Sequence, residues 1–215
     1  MRLLLINTCG TEGVVALAED AAVLAVELLP GRSSSENLLP AVRRLMEARD
    51  WRIRDLAGIA VVIGPGSFTG VRVGLSAAKG LCEAGGIGMI AMSRLALVAA
   101  AIEAETDLLA VLDAGRGEYF CGTYIDGGHD GIRVSEQLLR ADEVAALSEG
   151  RRVVTCEARV EESLSVGVDL VAEPGPATML AMALNRIQTG QWSDVATIDA
   201  NYLRRTDAEI LVHGR

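Results

Sequence analysis

Histidine, lysine and closely spaced cysteines are scarce in this sequence, and each shortage removes a class of chemistry. Only His129 and His213 are present, one in the stretch Gly127 to Gly131 and one close to Arg215. They stand at no metal-ligand spacing, and a Ser-His-Asp triad would have to take its base from a loop or a tail. Metal sites and autonomous peptidase chemistry are therefore disfavoured. Cys9, Cys82, Cys121 and Cys156 form no close pair, so neither a zinc spacing nor a disulfide framework is encoded and buried thiols are expected. Lys79 is the sole lysine, and 20 basic residues against 29 acidic ones give a net charge of −9. Such a chain repels phosphate backbones, so any RNA is expected to be held by a partner and reached only indirectly. Charged residues also interrupt every apolar run before it could span a bilayer, which excludes a membrane helix. Leu3 to Ile6, ended by Asn7, is too short for the apolar part of an export signal, so a cytoplasmic protein is expected.

What is present is ample apolar material: half of the 215 residues are hydrophobic, enough for one large domain or two small lobes. Leu3 to Ile6, Val14 to Ala18 and Val23 to Leu29 read as a three-stranded meander separated by turn residues. Ser33 with Glu36 suggests a capping box for a helix carrying Leu38, Leu39, Val42, Leu45 and Met46, with Pro40 in its first turn. Ile59 to Ile63 reads as a buried strand, a second helix starts near Thr69, and Met89 to Ala91 with Ser93 to Ala104 add a strand and a helix. After residue 105 the pattern restarts, with strands at Leu108 to Leu112, Tyr119 to Ile125, Ile132 to Val134 and Val153 to Cys156. Helices follow around Ala141 to Ser148 and Ala177 to Thr189. The chain is thus expected to hold an N-terminal lobe, 1–105, and a C-terminal lobe, 106–215, as a weak repeat of mixed α/β structure.

The most informative stretch is Ile63-Gly64-Pro65-Gly66-Ser67-Phe68-Thr69-Gly70-Val71-Arg72, at a strand-to-helix junction where backbone amides readily form an anion site. Its spacing excludes the known phosphate loops. Gly70 is followed by Val71 where a Walker loop needs lysine, and three residues separate Gly66 from Gly70 where a dinucleotide loop has two. Nor does Ser67 lie in a hydrolase elbow, which needs glycines where Pro65 and Thr69 stand. A tight turn with Ser67 or Thr69 capping the helix competes with a ligand site. Along that helix Gly70, Gly74, Ala77, Ala78 and Leu81 put small residues at three- and four-residue steps, which serves internal packing or close approach of another helix.

Ile6-Asn7-Thr8-Cys9-Gly10-Thr11-Glu12 resembles the first phosphate hairpin of actin-like ATPases, with Asn7 where an Asp organises a metal-bound nucleotide. An amide cannot offset Mg²⁺, so metal-dependent nucleotide binding is weakened. Asp113-Ala114-Gly115-Arg116-Gly117-Glu118 takes the corresponding place in the second half and keeps its Asp; a plain β-turn with Arg116 paired to Glu118 or Asp113 is the competing reading.

Together with Leu5-Ile6-Asn7-Thr8, Ser35-Glu36-Asn37-Leu38-Leu39-Pro40 and Tyr202-Leu203-Arg204, these motifs resemble the TsaB (YeaZ) family. The resemblance implies two actin-like (ASKHA, RNase H-like) lobes with mixed sheets flanked by helices. It implies a non-catalytic relative of TsaD, the subunit that places threonylcarbamoyl on the adenosine beside the tRNA anticodon. Pairing with a TsaD-like subunit, a TsaE-like ATPase as a further partner and a homodimer when alone come with it. Partner-binding roles then fall on Gly66, Ser67, Phe68, Thr69, Gly70, Arg72, Val73, Gly74, Ala77, Leu81, Leu38 and Val42, and a degenerate nucleotide site on Asn7, Thr8, Asp113, Arg116 and Glu118. No cofactor is required by it, although ADP or ATP shared at a subunit junction is compatible. Asn7 and Ser34, where the family usually carries Asp and often His, depart from the pattern. A stand-alone nucleotide-dependent enzyme and a peptidase of the same fold are the alternatives.

Overall fold

The computed structural model describes residues 1–30, 34–102, 106–125 and 132–203, without the side chains of residues 34 and 132. Expectations that rested on Ser33, Ala104, His129, Arg204 and His213 lie outside the described residues.

The strands β1 (Arg2–Asn7), β2 (Gly13–Glu19) and β3 (Ala22–Leu29) form an antiparallel meander, to which β4 (Gly58–Val62) and β5 (Gly88–Met92) add in parallel, giving the order β3-β2-β1-β4-β5. The second half repeats this order: β6 (Leu108–Gly115), β7 (Glu118–Ile125) and β8 (Ile132–Arg140) form a meander extended by β9 (Arg152–Thr155) and β10 (Val168–Leu170), as β10-β9-β6-β7-β8. Helices follow the third, fourth and fifth strand in each half: α1 (Ser34–Glu47), α2 (Phe68–Gly85) and α3 (Arg94–Ala99), then α4 (Ala141–Leu147), α5 (Ala158–Ser163) and α6 (Pro176–Gln188). The restart read after residue 105 is thus a repeat of topology.

Both faces of the first sheet are covered, which explains why β1 and β4 are apolar without interruption. Leu4, Ile6, Ile59 and Val61 face α1 and α2 through Leu38, Ala41, Val42, Leu75 and Ala78. Their sequence neighbours Leu3, Leu5, Ala60 and Val62 point the other way and meet Met179, Leu180, Met182 and Ala183 of α6. The reciprocal arrangement holds for α3. Its Leu95, Val98 and Ala99 pack against Leu108, Ala110 and Tyr124 of the second sheet, while Leu97 joins the cluster beneath the first. The sequence reading gave the helix after Ser93 to the first half alone; its second apolar face is satisfied by the other sheet. Each leucine buried here contributes roughly 2 kcal/mol, so exchanging α3 and α6 ties the halves into one packed body.

Candidate functional site

The glycine-rich stretch is a receptor for the first hairpin. Ser67 accepts the amide of Gly70 at 3.2 Å and so caps α2, and its own amide donates to the carbonyl of Cys9 at 2.9 Å. The hydroxyl of Thr8 donates to the carbonyl of Gly70 at 2.6 Å. A Cβ at Gly66 would overlap the carbonyl of Cys9, one at Gly70 the carbonyl of Thr8, and one at Gly74 the Thr8 hydroxyl. Glycine is therefore required at Gly66 and Gly70 by close approach of backbone to backbone, at Gly74 by the threonine side chain, and at Gly64 by a φ of 103°. The hairpin itself is closed by Asn7, 3 % exposed, whose side-chain oxygen accepts the amide of Cys9 at 3.0 Å.

The second hairpin is tied to the first through Arg94. This guanidinium, at the start of α3 and 5 % exposed, reaches Glu157 at 3.0 Å and Glu173 at 2.7 Å. Glu157 in turn accepts the amide of Asp113 at 2.7 Å, and Glu173 stands beside Gly10. Burial raises the carboxyl of Glu173, but the hydrogen bond and charge of Arg94 outweigh it and leave that group below its ordinary value. Asp113 accepts the amide of Gly115 at 2.7 Å and pairs with Arg159 at 3.2 Å, not with Arg116, which occupies a left-handed turn position at φ 61° between Gly115 and Gly117. Two carboxylates thus stand at the tips of both hairpins, where a bound phosphate would need positive charge or free amides. Among the described residues no group of three or more His, Cys, Asp or Glu side chains is placed to hold a metal ion.

A different surface opens along α2. Phe68 is 51 % and Tyr202 44 % exposed, their ring centroids lie 5.7 Å apart, and Arg72 sits over both, 3.7 Å from the first ring and 5.6 Å from the second. Its Nε donates to the Tyr202 hydroxyl at 2.6 Å. Thr69, Ser76 and Gly80 continue this exposed stripe, and no atom would obstruct a Cβ at Gly80. Of the other residues singled out in sequence, Ser67 is exposed, and Gly66, Val73, Ala77 and Leu81 are half-buried. Gly70, Gly74, Leu38 and Val42 are buried inside the chain. Tyr202 joins Arg72 from 130 residues away, a contact that no local pattern encodes. Arg94 offered one signal, a charge opening an otherwise apolar helix.

Two sheets of like topology with helices exchanged between them define an actin-like (ASKHA, RNase H-like) protein. Residues 29–170 match the family described as "TsaD: tRNA N6-adenosine threonylcarbamoyltransferase". The chain is 36 % identical to the tRNA threonylcarbamoyladenosine biosynthesis protein TsaB of Escherichia coli over 58 % of this chain and 55 % of that protein. It is 28 % identical to the protein of the same name from Bacillus subtilis, covering 97 % of this chain and 96 % of that one. The solved structure of YeaZ from Pseudomonas aeruginosa superposes with a TM-score of 0.78 at 25 % identity, over 94 % of this chain and 99 % of that one. The chain belongs to the TsaB (YeaZ) family within that wider group.

Proposed function

We propose that this chain serves tRNA threonylcarbamoyladenosine (t6A) biosynthesis as a non-catalytic scaffold, docking onto a TsaD-like catalytic subunit through the exposed face of α2. The observation that carries the reading is the Phe68, Arg72 and Tyr202 cluster. Solvent-exposed aromatic rings clamped by an arginine are the residue types that dominate binding energy at protein interfaces. Thr69, Ser76 and Gly80 leave a low surface beside it for a partner helix. The buried Gly70, Gly74, Leu38 and Val42 support this face from beneath. The same surface serves the homodimer formed when no TsaD-like subunit is present, a TsaE-like ATPase joins the assembled pair, and tRNA is held by the partner, in keeping with the net charge of −9.

Two features argue against an active site of its own. Glu157 and Glu173 stand at the hairpin tips, so phosphate binding there meets negative charge. Ser67 accepts the amide of Gly70 as the cap of α2, which accounts for this serine without a nucleophilic role. The test is co-purification of Phe68→Ala and Arg72→Ala variants with the organism's TsaD-like subunit. Loss of a central anchor is expected to weaken pairing about 30-fold, roughly 2 kcal/mol, with unchanged melting temperature. Wild-type affinity in both variants would refute the docking face.

A further inference from the structure

An open cleft of about 970 Å³ lies between the two sheets, with a size suited to a small ligand. The last turn of α6 brings Arg186 to it, and Tyr124 and Arg133 of β7 and β8 form the facing wall. The chain after α6 closes the third side by bonding to the first sheet. Ser193 donates its amide to Met89 at 2.9 Å and accepts the amide of Ala91 on its hydroxyl at 2.9 Å, and the amide of Asn201 reaches the carbonyl of Ile63 at 2.8 Å.

The cations around this cleft are paired unequally. Arg94, at the start of α3, has two carboxylates, whereas Arg186 forms no ion pair and has the carbonyl of Ala91 as its acceptor among the described residues. Arg133 acts on it with a charge of like sign. Glu136 answers Arg133 as an ion pair at 3.8 Å while its oxygens also accept from Tyr124 at 2.6 Å and from Asn201, so of the two guanidinium groups Arg186 is the one without an ion pair among the described residues. Asp199 turns its carboxylate to the amide of Ala200 at 2.7 Å. Burial, and after it the charge of Arg133, hold Arg186 below its ordinary value. Ala96, Met182 and Ile198 supply apolar wall next to these two guanidinium groups.

We propose that this cleft binds a small organic anion, with a carboxylate or phosphate group held by Arg186 and Arg133 and an apolar body against Ala96, Met182 and Ile198. The assignment rests on this chain alone and is independent of the docking role. Calorimetry on the full chain at constant ionic strength, with butyrate, butyl phosphate and inorganic phosphate as probes, tests it. Saturable one-to-one binding of butyrate or butyl phosphate is expected, and which of the two binds more tightly identifies the head group. Affinity should fall about tenfold in Arg133→Ser, whose side chain is 62 % exposed and whose folding is checked by its melting temperature, and recover partly in Arg133→Lys. Arg43→Ser, on α1, should match wild type. The absence of saturable binding by all three probes, or equal affinity in Arg133→Ser, would overturn the site. Inorganic phosphate binding as tightly as butyl phosphate would overturn the organic part of the assignment.

Discussion

Thr8 and Gly70 exchange contacts that leave no room for a side chain between them: the threonine hydroxyl donates to the glycine carbonyl at 2.6 Å, while a Cβ on the glycine would overlap the threonine carbonyl. Gly70→Ala is therefore expected to lower stability by at least about 3 kcal/mol, because backbone must move on both sides. Gly80→Ala, in open space on the same helix, should be neutral or stabilise by up to about 1 kcal/mol. Chemical denaturation of the two variants decides it, and equal effects would contradict the packing described.

The clamp at Arg94 gives a pH-dependent expectation. Arg94→Gln leaves Glu157 and Glu173 without their shared cation and should cost on the order of 2–3 kcal/mol at neutral pH. Glu173 lies below its ordinary value of 4.5, so its share of stability is present above pH 4.5 and is lost as pH falls through the folded value. The variant lacks this share, and the gap between the two proteins should narrow below pH 4.5. Thermal melts from pH 7 to pH 3 would show the convergence; a constant gap would contradict it.

All four thiols are expected to be inert. Burial pushes Cys9, Cys121 and Cys156 up to about 12 and Cys82 up to about 11, with Arg94 opposing the shift at Cys9 and Cys156. At pH 8 the thiolate of the first three is on the order of one part in ten thousand. Ellman's reagent should react slowly with the native chain and rapidly once it is denatured, whereas a fast native phase would point to an activated cysteine.

Trp192 reports on the segment that walls the cleft. Its ring rests on β4 and β5 where both carry glycine, and a Cβ at Gly58 would stand 2.8 Å from it, one at Gly88 closer still. Gly88→Val should lift the ring and shift tryptophan emission to the red while the second tryptophan, Trp51 at 9 % exposed, stays in place. Unchanged emission would mean that the segment is held by its backbone bonds alone.

The turn residues that bound Leu3 to Ile6, Val14 to Ala18 and Val23 to Leu29 made the first meander legible in sequence, and the helical spacing of Leu38, Val42 and Leu45 did so for α1, since burial on one helix face leaves a period. Such a period marks a face and not what covers it, so the exchange of α3 and α6 between sheets was not legible. Ala158–Ser163 and Val168–Leu170 escaped notice because a single residue, Val160, is buried in the first and none in the second. At the candidate site a helix cap at Ser67 or Thr69 and the need for glycine could be read from local chemistry, and the structure selects Ser67. Leu38, Val42 and Gly74 could not be assigned to core or surface, because small and apolar residues serve either. Arg94 with Glu173, Tyr202 with Arg72 and Arg186 with Arg133 meet only through the fold.

The central claim, a scaffold without catalysis of its own, is tested most directly by threonylcarbamoyl transfer to tRNA. The organism's TsaD-like subunit and TsaE-like ATPase would be supplied with threonylcarbamoyl-AMP, with and without this chain. Modification that depends on wild-type chain and fails with Phe68→Ala is the predicted result; modification at the same rate without the chain would contradict the account.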